Sequence, residues 1–436
     1  APDDTGAGAL AADLARAPAA AAGAPGWVPT LEERWRTAPW RETGASARAR
    51  PLRTDHTFTY ERVLAARPEL RERAVAVVSG GRVTAVRRWL VVPAAGERAA
   101  RARRAPLAAL QTAGVALVVV GAIGALAVFL RRLRAGGVRL GRAAYWAAIV
   151  FACALATNAL MAYDLLAAWD PLWPRWIASL VELAWRSQGT AWMFVLLFAF
   201  IAAGDALDRD LGAGRGETLW RLGRGRLADP AVGRATLRGF AVGLVCGGVM
   251  AASVWLLART AGAYTAVQPR GFFFYGLNAT APSLATLLFF TNVALLEELG
   301  YRLFGGSWLL AVTRRPWVAA LVPAVVYGLT HTALDFLPPA EPFWGRALVM
   351  TLVGCVWGWA FLRWDALTVV ISHLTADLFI FNWPRLASPH EAVRWGALAT
   401  VAAPLLPAAV AGAVALVRRV RRAAPVPEAV VDPVPD

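Results

Sequence analysis

Three clusters of ionisable residues interrupt otherwise apolar runs of this sequence: Glu297-Glu298 followed by Arg302, Tyr327 followed by His331, and His373 followed by Asp377. An ionisable side chain inside a membrane-length apolar segment is costly, so it marks a functional site or a buried pair. Helical spacing puts Glu298 and Arg302 on one face, where they can pair as structural support, and turns Glu297 about 100° away. His373 and Asp377 share a face in the same way, and His331 has Tyr327 one turn before it and Asp335 one turn after. A free carboxylate in a dry bundle can take a proton from water, which makes Glu297 the candidate general base. Histidines aimed at the same point can stabilise an oxyanion or protonate a leaving amine. Glu297, His331 and His373 are also a set that could ligate a divalent metal such as zinc, and spacing alone leaves both chemistries open. A lone Glu-Arg pair or a lone core histidine needs no such reading; three clusters in order on three separate apolar runs point to one shared site.

The elements that must hold these residues are membrane helices. Of 436 residues 58% are apolar and 17% charged, and the mean hydropathy is +0.49, which excludes a disordered or ordinary soluble chain. A spanning helix needs about 20 mostly apolar residues. Runs near that length cover 107–130, 143–167, 190–207, 239–257, 282–304, 317–334, 347–362, 366–381 and 395–417, so an all-α polytopic fold of about nine spans is expected. Residues 176–185 are either a tenth element in the interface or the first turns of the third span. Trp169, Trp173, Trp176, Trp185 and Trp192 read as an interfacial belt. At about 1.5 Å per residue His331 lies about 21 Å beyond Trp317, which asks that the sixth span start later, near Leu321, or tilt.

The net charge of +16 is carried entirely by arginine, with no lysine in the chain. It falls mostly in loops between apolar runs rather than as a stripe on a soluble face, so no nucleic-acid partner is expected. Arg131, Arg132, Arg134, Arg139 and Arg142, the group from Arg209 to Arg238, Arg314 and Arg315, Arg363, and Arg418 to Arg422 share one side of an alternating nine-span layout. That predicts a cytoplasmic C-terminus. The N-terminal region would then lie outside, which predicts an upstream signal or helix ahead of Ala1. Residues 1–55, rich in Ala, Pro and Arg, read as a flexible leader, and 56–105 as a small extracytoplasmic α/β or β-rich domain. Within it 60–73 reads as partly helical and 74–92 as a hairpin about Ser79-Gly80-Gly81. Residues 106–260 form the N-terminal transmembrane helices, 261–422 the catalytic core and 423–436 a disordered tail. Cys153, Cys246 and Cys355 lack disulfide or metal spacing and read as small core residues.

The three clusters resemble the signature of the CPBP family, the CAAX protease and bacteriocin-processing group of intramembrane endopeptidases. Its Glu-Glu-x-x-x-Arg motif is matched by Glu297, Glu298 and Arg302, its Phe-x-x-x-His motif at His331, and its His-x-x-x-Asn or Asp motif by His373 and Asp377. The resemblance covers roughly 282–381. It implies a peptidase in which Glu297 activates water, His331 is its partner, and His373 with Asp377 stabilises the oxyanion. Tyr327 stands where the family more often has Phe, and Asp377 where many members have Asn. The metal-free form is preferred, with no cofactor required. The implied partners are a membrane protein or peptide substrate and the lipid bilayer, and the implied location is a bacterial plasma membrane.

Other readings fit less well. A site-2-type metalloprotease needs His-Glu-x-x-His, which does not occur. An aspartyl type would use Asp164 and Asp205, but the second lacks the first glycine of Gly-x-Gly-Asp. A transporter or proton relay could use the same buried Glu, His and Asp but predicts inverted repeats, which the sequence does not display. A catalytically silent scaffold binding peptides or lipids is the remaining alternative.

Overall fold

The computed structural model describes residues 40–64, 67–91, 93–161, 174–265, 279–332 and 340–423. The chain divides into two compact units, Ala1–Ala105 and Pro106–Asp436.

The first unit holds a four-stranded antiparallel meander, β1 (Arg41–Arg50), β2 (Arg53–Leu64), β3 (Arg67–Ser79) and β4 (Arg82–Val91), in that spatial order. Its core follows the two-residue period of a strand: Phe58 and Tyr60 pair with Ala76 and Ala74, and with Val78 they are buried on one face. Gly80 and Gly81, both at positive φ, close the β3–β4 hairpin as expected. Two expectations are corrected. Strand begins at Arg41, inside the stretch read as a leader, and 60–73 is strand where described, not helix; Pro68 stands near the start of β3, where a missing N–H is tolerated.

The second unit is an apolar helical bundle. After α1 (Ala94–Arg134) come α2 (Leu140–Leu160), α3 (Arg175–Asp210), the short α4 (Glu217–Gly223) and α5 (Pro230–Ala261). The chain continues through α6 (Pro282–Glu297), a π-helical segment (Glu298–Gly306), α7 (Ser307–Thr313), α8 (Pro316–Thr330), α9 (Gly345–Arg363), α10 (Ala366–Leu386), α11 (Glu391–Ala402) and α12 (Leu406–Ala423). Among the described residues eight helices are long and apolar enough to cross a membrane, counting 282–313 and 391–420 each as one. The sixth of the nine expected runs is the shorter apolar helix α8, of 15 residues. Residues 176–185 are the first turns of α3, not a separate element, and Trp176, Trp185 and Trp192 all face outward. Trp169, Trp173 and Asp335 lie outside the described residues, as do most of the leader and almost all of the tail.

The arginine-rich loops meet at one end of the bundle. Arg142 bridges Asp205 at 2.8 Å and Glu217 at 2.6 Å, and Arg209 adds a contact to Asp205 at 3.2 Å. Asp205 is therefore committed to arginine. Nearby, Arg215 pairs with Asp208, and its carbonyl accepts from the N–H of Ala366. Asp365 caps α10 by accepting from the N–H of Thr368 at 2.8 Å.

The most buried span is α10. It lies so close to α5 that a Cβ at Gly243 would fall 2.5 Å from the carbonyl oxygen of Ser372. A side chain there would push the backbone immediately before His373.

Candidate active site

Glu297 is the last residue of α6 and Glu298 the first of the π-helical segment. Wide turns of this kind are uncommon and often mark functional sites. Here the segment directs Glu298 and Arg302 inward together. Arg302 Nη1 donates to Glu298 Oε1 at 3.0 Å and Nη2 to the carbonyl of Gly354 at 3.4 Å, while its guanidinium lies 4.7 Å from the Tyr327 ring centre and 5.3 Å from that of Trp357. Both partners are 1% exposed, so each offsets the desolvation of the other.

The α10 cluster arrives from the opposite side. His373 Nδ1 stands 2.7 Å from Glu298 Oε1, and its Nε2 stands 3.3 Å from Asp377 Oδ2 and 3.6 Å from Glu297 Oε2. Both ring nitrogens thus face carboxylates, an arrangement that suits a doubly protonated imidazole. Trp357 of α9 stacks on this ring at 4.1 Å and 20° and donates through Nε1 to Ser372 Oγ at 2.8 Å.

His331 caps α8. Its Nδ1 is 2.8 Å from the carbonyl of Tyr327, which can only accept, so the proton of a neutral ring sits on Nδ1. The lone pair of Nε2 is left pointing toward Glu297 Oε1, 3.9 Å away. The apparent depth problem of His331 is resolved by the helical hairpin rather than by a later helix start, since α8 begins at Pro316. Glu297 lies 17 residues before Arg314 and His331 16 residues after Arg315, so both are about 25 Å from the same turn.

All four residues read from the sequence as catalytic therefore converge, with Glu298, Arg302 and Tyr327 around them. Side-chain exposure separates them: Glu297 retains 16%, Asp377 14% and His331 11%, against 2% for His373 and Arg302 and none for Glu298. Glu297, His331 and Asp377 form the open side. The sequence reading missed Trp357 and Ser372, and it missed that Glu298 serves His373 as well as Arg302. A tryptophan in an apolar run carries no sign that its face will meet a histidine.

The set Glu297, His331 and His373 is a poor match to a ready-made zinc site. Donors about 2.0–2.2 Å from one tetrahedral ion lie about 3.3–3.6 Å apart. The His373–Glu297 separation of 3.6 Å lies at the edge of this range and the His331–Glu297 separation of 3.9 Å exceeds it. No group of three His, Cys, Asp or Glu among the described residues is spaced to hold a metal ion.

Residues 279–379 match the family model described as type II CAAX prenyl endopeptidase Rce1-like, a stretch that contains every member of the cluster. Comparison with curated proteins and with solved structures returns no match. The match agrees with the resemblance read from the three motifs and supports an endopeptidase at the level of the family.

Proposed function

We propose that this protein is an intramembrane endopeptidase that hydrolyses peptide bonds of membrane-associated proteins or peptides with a glutamate-activated water. The observation that carries the proposal is the meeting of Glu297 with His331 and His373, from three separate helices, within the endopeptidase-like segment. Glu297 Oε1 and the Nε2 lone pair of neutral His331 are both acceptors, and a water between them donates one hydrogen to each. Glu297 takes the proton as the water oxygen bonds to the scissile carbonyl carbon. His373, held at Nδ1 by Glu298, donates from Nε2 to the oxyanion that forms, exchanging its contact with Asp377 for the substrate. When the C–N bond breaks, Glu297 returns the proton to the leaving nitrogen, so the two products together gain one water. Arg302 and Trp357 keep His373 and Glu298 in place. The C-terminus is assigned to the cytoplasmic side from the arginine-rich loops.

The test compares new protein N-termini, by mass spectrometry, in host membranes expressing the intact protein or its Glu297→Ala form. Termini that depend on Glu297 are the expected result and name the substrate. Identical N-termini would favour the silent scaffold or a proton relay. A chelator should leave the Glu297-dependent products unchanged; their loss, with recovery on added zinc, would replace the metal-free mechanism.

A further inference from the structure

A second polar layer lies in the seam between α6 and α10, away from the catalytic one. Its centre is Arg385, 9% exposed and one residue from the end of α10. Nη1 donates to Asn382 Oδ1 at 2.8 Å and to Thr286 Oγ1 at 3.4 Å, and Nη2 to Ser283 Oγ at 2.9 Å. All three acceptors are neutral, and among the described residues no carboxylate pairs with this guanidinium. Nε is buried without a hydrogen-bond partner. The Nε/Nη2 edge, which forks onto planar or tetrahedral oxyanions, is therefore only partly used. The N-terminus of α6 adds to the positive field: Ala281 supplies no side-chain cap, Pro282 opens the helix, and Ser283, the Arg385 partner, stands in its first turn. A buried cation and an uncapped helix N-terminus converge, with no carboxylate among the described residues paired to the cation, and such a pairing selects an oxyanion.

The position decides which oxyanion. Ser283 and Arg385 lie at the ends of their spans, with outward-facing Trp383 close by in sequence, the depth at which phospholipid phosphates concentrate. The stacked pair Phe290–Phe381, 4.9 Å between ring centres, stands on these same helices between the Arg385 layer and the catalytic one. This apolar layer separates the site from the carboxylates that handle substrate. We propose that Arg385, held in place by Thr286 and Asn382, binds the phosphodiester of an anionic phospholipid together with Ser283 and the N-terminus of α6. The inference is independent of the peptidase reading.

The experiment uses the full chain in a non-ionic detergent, freed of phospholipid, and follows thermal unfolding on adding phosphatidylglycerol, diacylglycerol of the same chains, or inorganic phosphate. Phosphatidylglycerol should raise the midpoint by on the order of 5 °C at saturation, and diacylglycerol should not. The shift should be lost in Arg385→Gln and partly kept in Arg385→Lys. If Arg385→Gln does not fold, Ser283→Ala decides, with a weakened response expected. Equal responses to phosphatidylglycerol and diacylglycerol, or a full response in the variants, would overturn the proposal. A shift with inorganic phosphate matching that with the lipid would overturn the lipid as its source and leave a free-phosphate site.

Discussion

The α6–α10 seam carries two polar layers built on opposite principles. Around His373 three carboxylates, Glu297, Glu298 and Asp377, surround an imidazole, and Arg302 neutralises one of them from within the fold. Around Arg385 the charge is a cation, and its described partners are hydroxyl and amide oxygens. The first layer meets its charge with its own side chains and leaves Glu297 and Asp377 partly open, as the proposed proton transfer requires. The second leaves its charge without a carboxylate partner among the described residues. Buried polar layers in a membrane bundle thus differ in whether compensation comes from the chain itself, and that difference is readable from partners rather than from burial, since Arg302 and Arg385 are both buried.

Three substitutions test how far the self-compensated layer holds, and a fourth tests the arginine-rich end. The largest effect is expected for Glu297→Gln, which should lower peptidase turnover by at least about 1,000-fold, measured on the substrate found by N-terminal profiling, with little change in thermal midpoint. Arg302→Met should instead act on stability. It strands Glu298 beside His373 at a cost of about 3–5 kcal/mol, and the double change Glu298→Leu with Arg302→Met should recover part of the loss in a melting experiment. A smaller effect is expected for Asp377→Asn, which keeps an acceptor near His373; a fall in activity of less than about tenfold would agree, and a loss as deep as that of Glu297→Gln would give Asp377 the larger role. The smallest belongs to the arginine-rich end. Hydrogen bonding from Arg142 holds the Glu217 carboxyl below the ordinary carboxylate range. Its contribution is therefore present at neutral pH and lost as pH falls through that lowered value. Glu217→Gln should cost under about 1 kcal/mol in chemical denaturation at pH 7, because Glu217 is partly exposed, and the difference from the unaltered protein should vanish in acid.

What could be read in advance follows from contrast. Glu297, His331 and His373 stood out because three ionisable clusters occur in order on three separate apolar runs, and the long helices stood out by length. Strand β1 did not, because the apolar positions of its alternation are only Ala45, Ala47 and Ala49, indistinguishable from the Ala- and Arg-rich leader, and every residue of it is exposed. The Arg385 layer was hidden for a related reason: Arg385 lies past the apolar run read as 366–381, where an arginine looks like an ordinary loop charge. Only the partners contributed by α6, a hundred residues earlier, show that it is buried.

The π-helical segment from Glu298 to Gly306 carries one more implication. A helix is a screw, and each i→i+5 turn offsets its thread relative to a regular α-helix. The offset accumulates between the Arg314 turn, shared with His331, and the start of α6, whose Ser283 meets Arg385. One inserted thread thus sets the angular phase of both polar layers at once. Deleting a single residue between 299 and 306 would change the phase of everything on its N-terminal side relative to the Arg314 turn, shifting Glu297 against its histidines and Ser283 against Arg385 in the same motion.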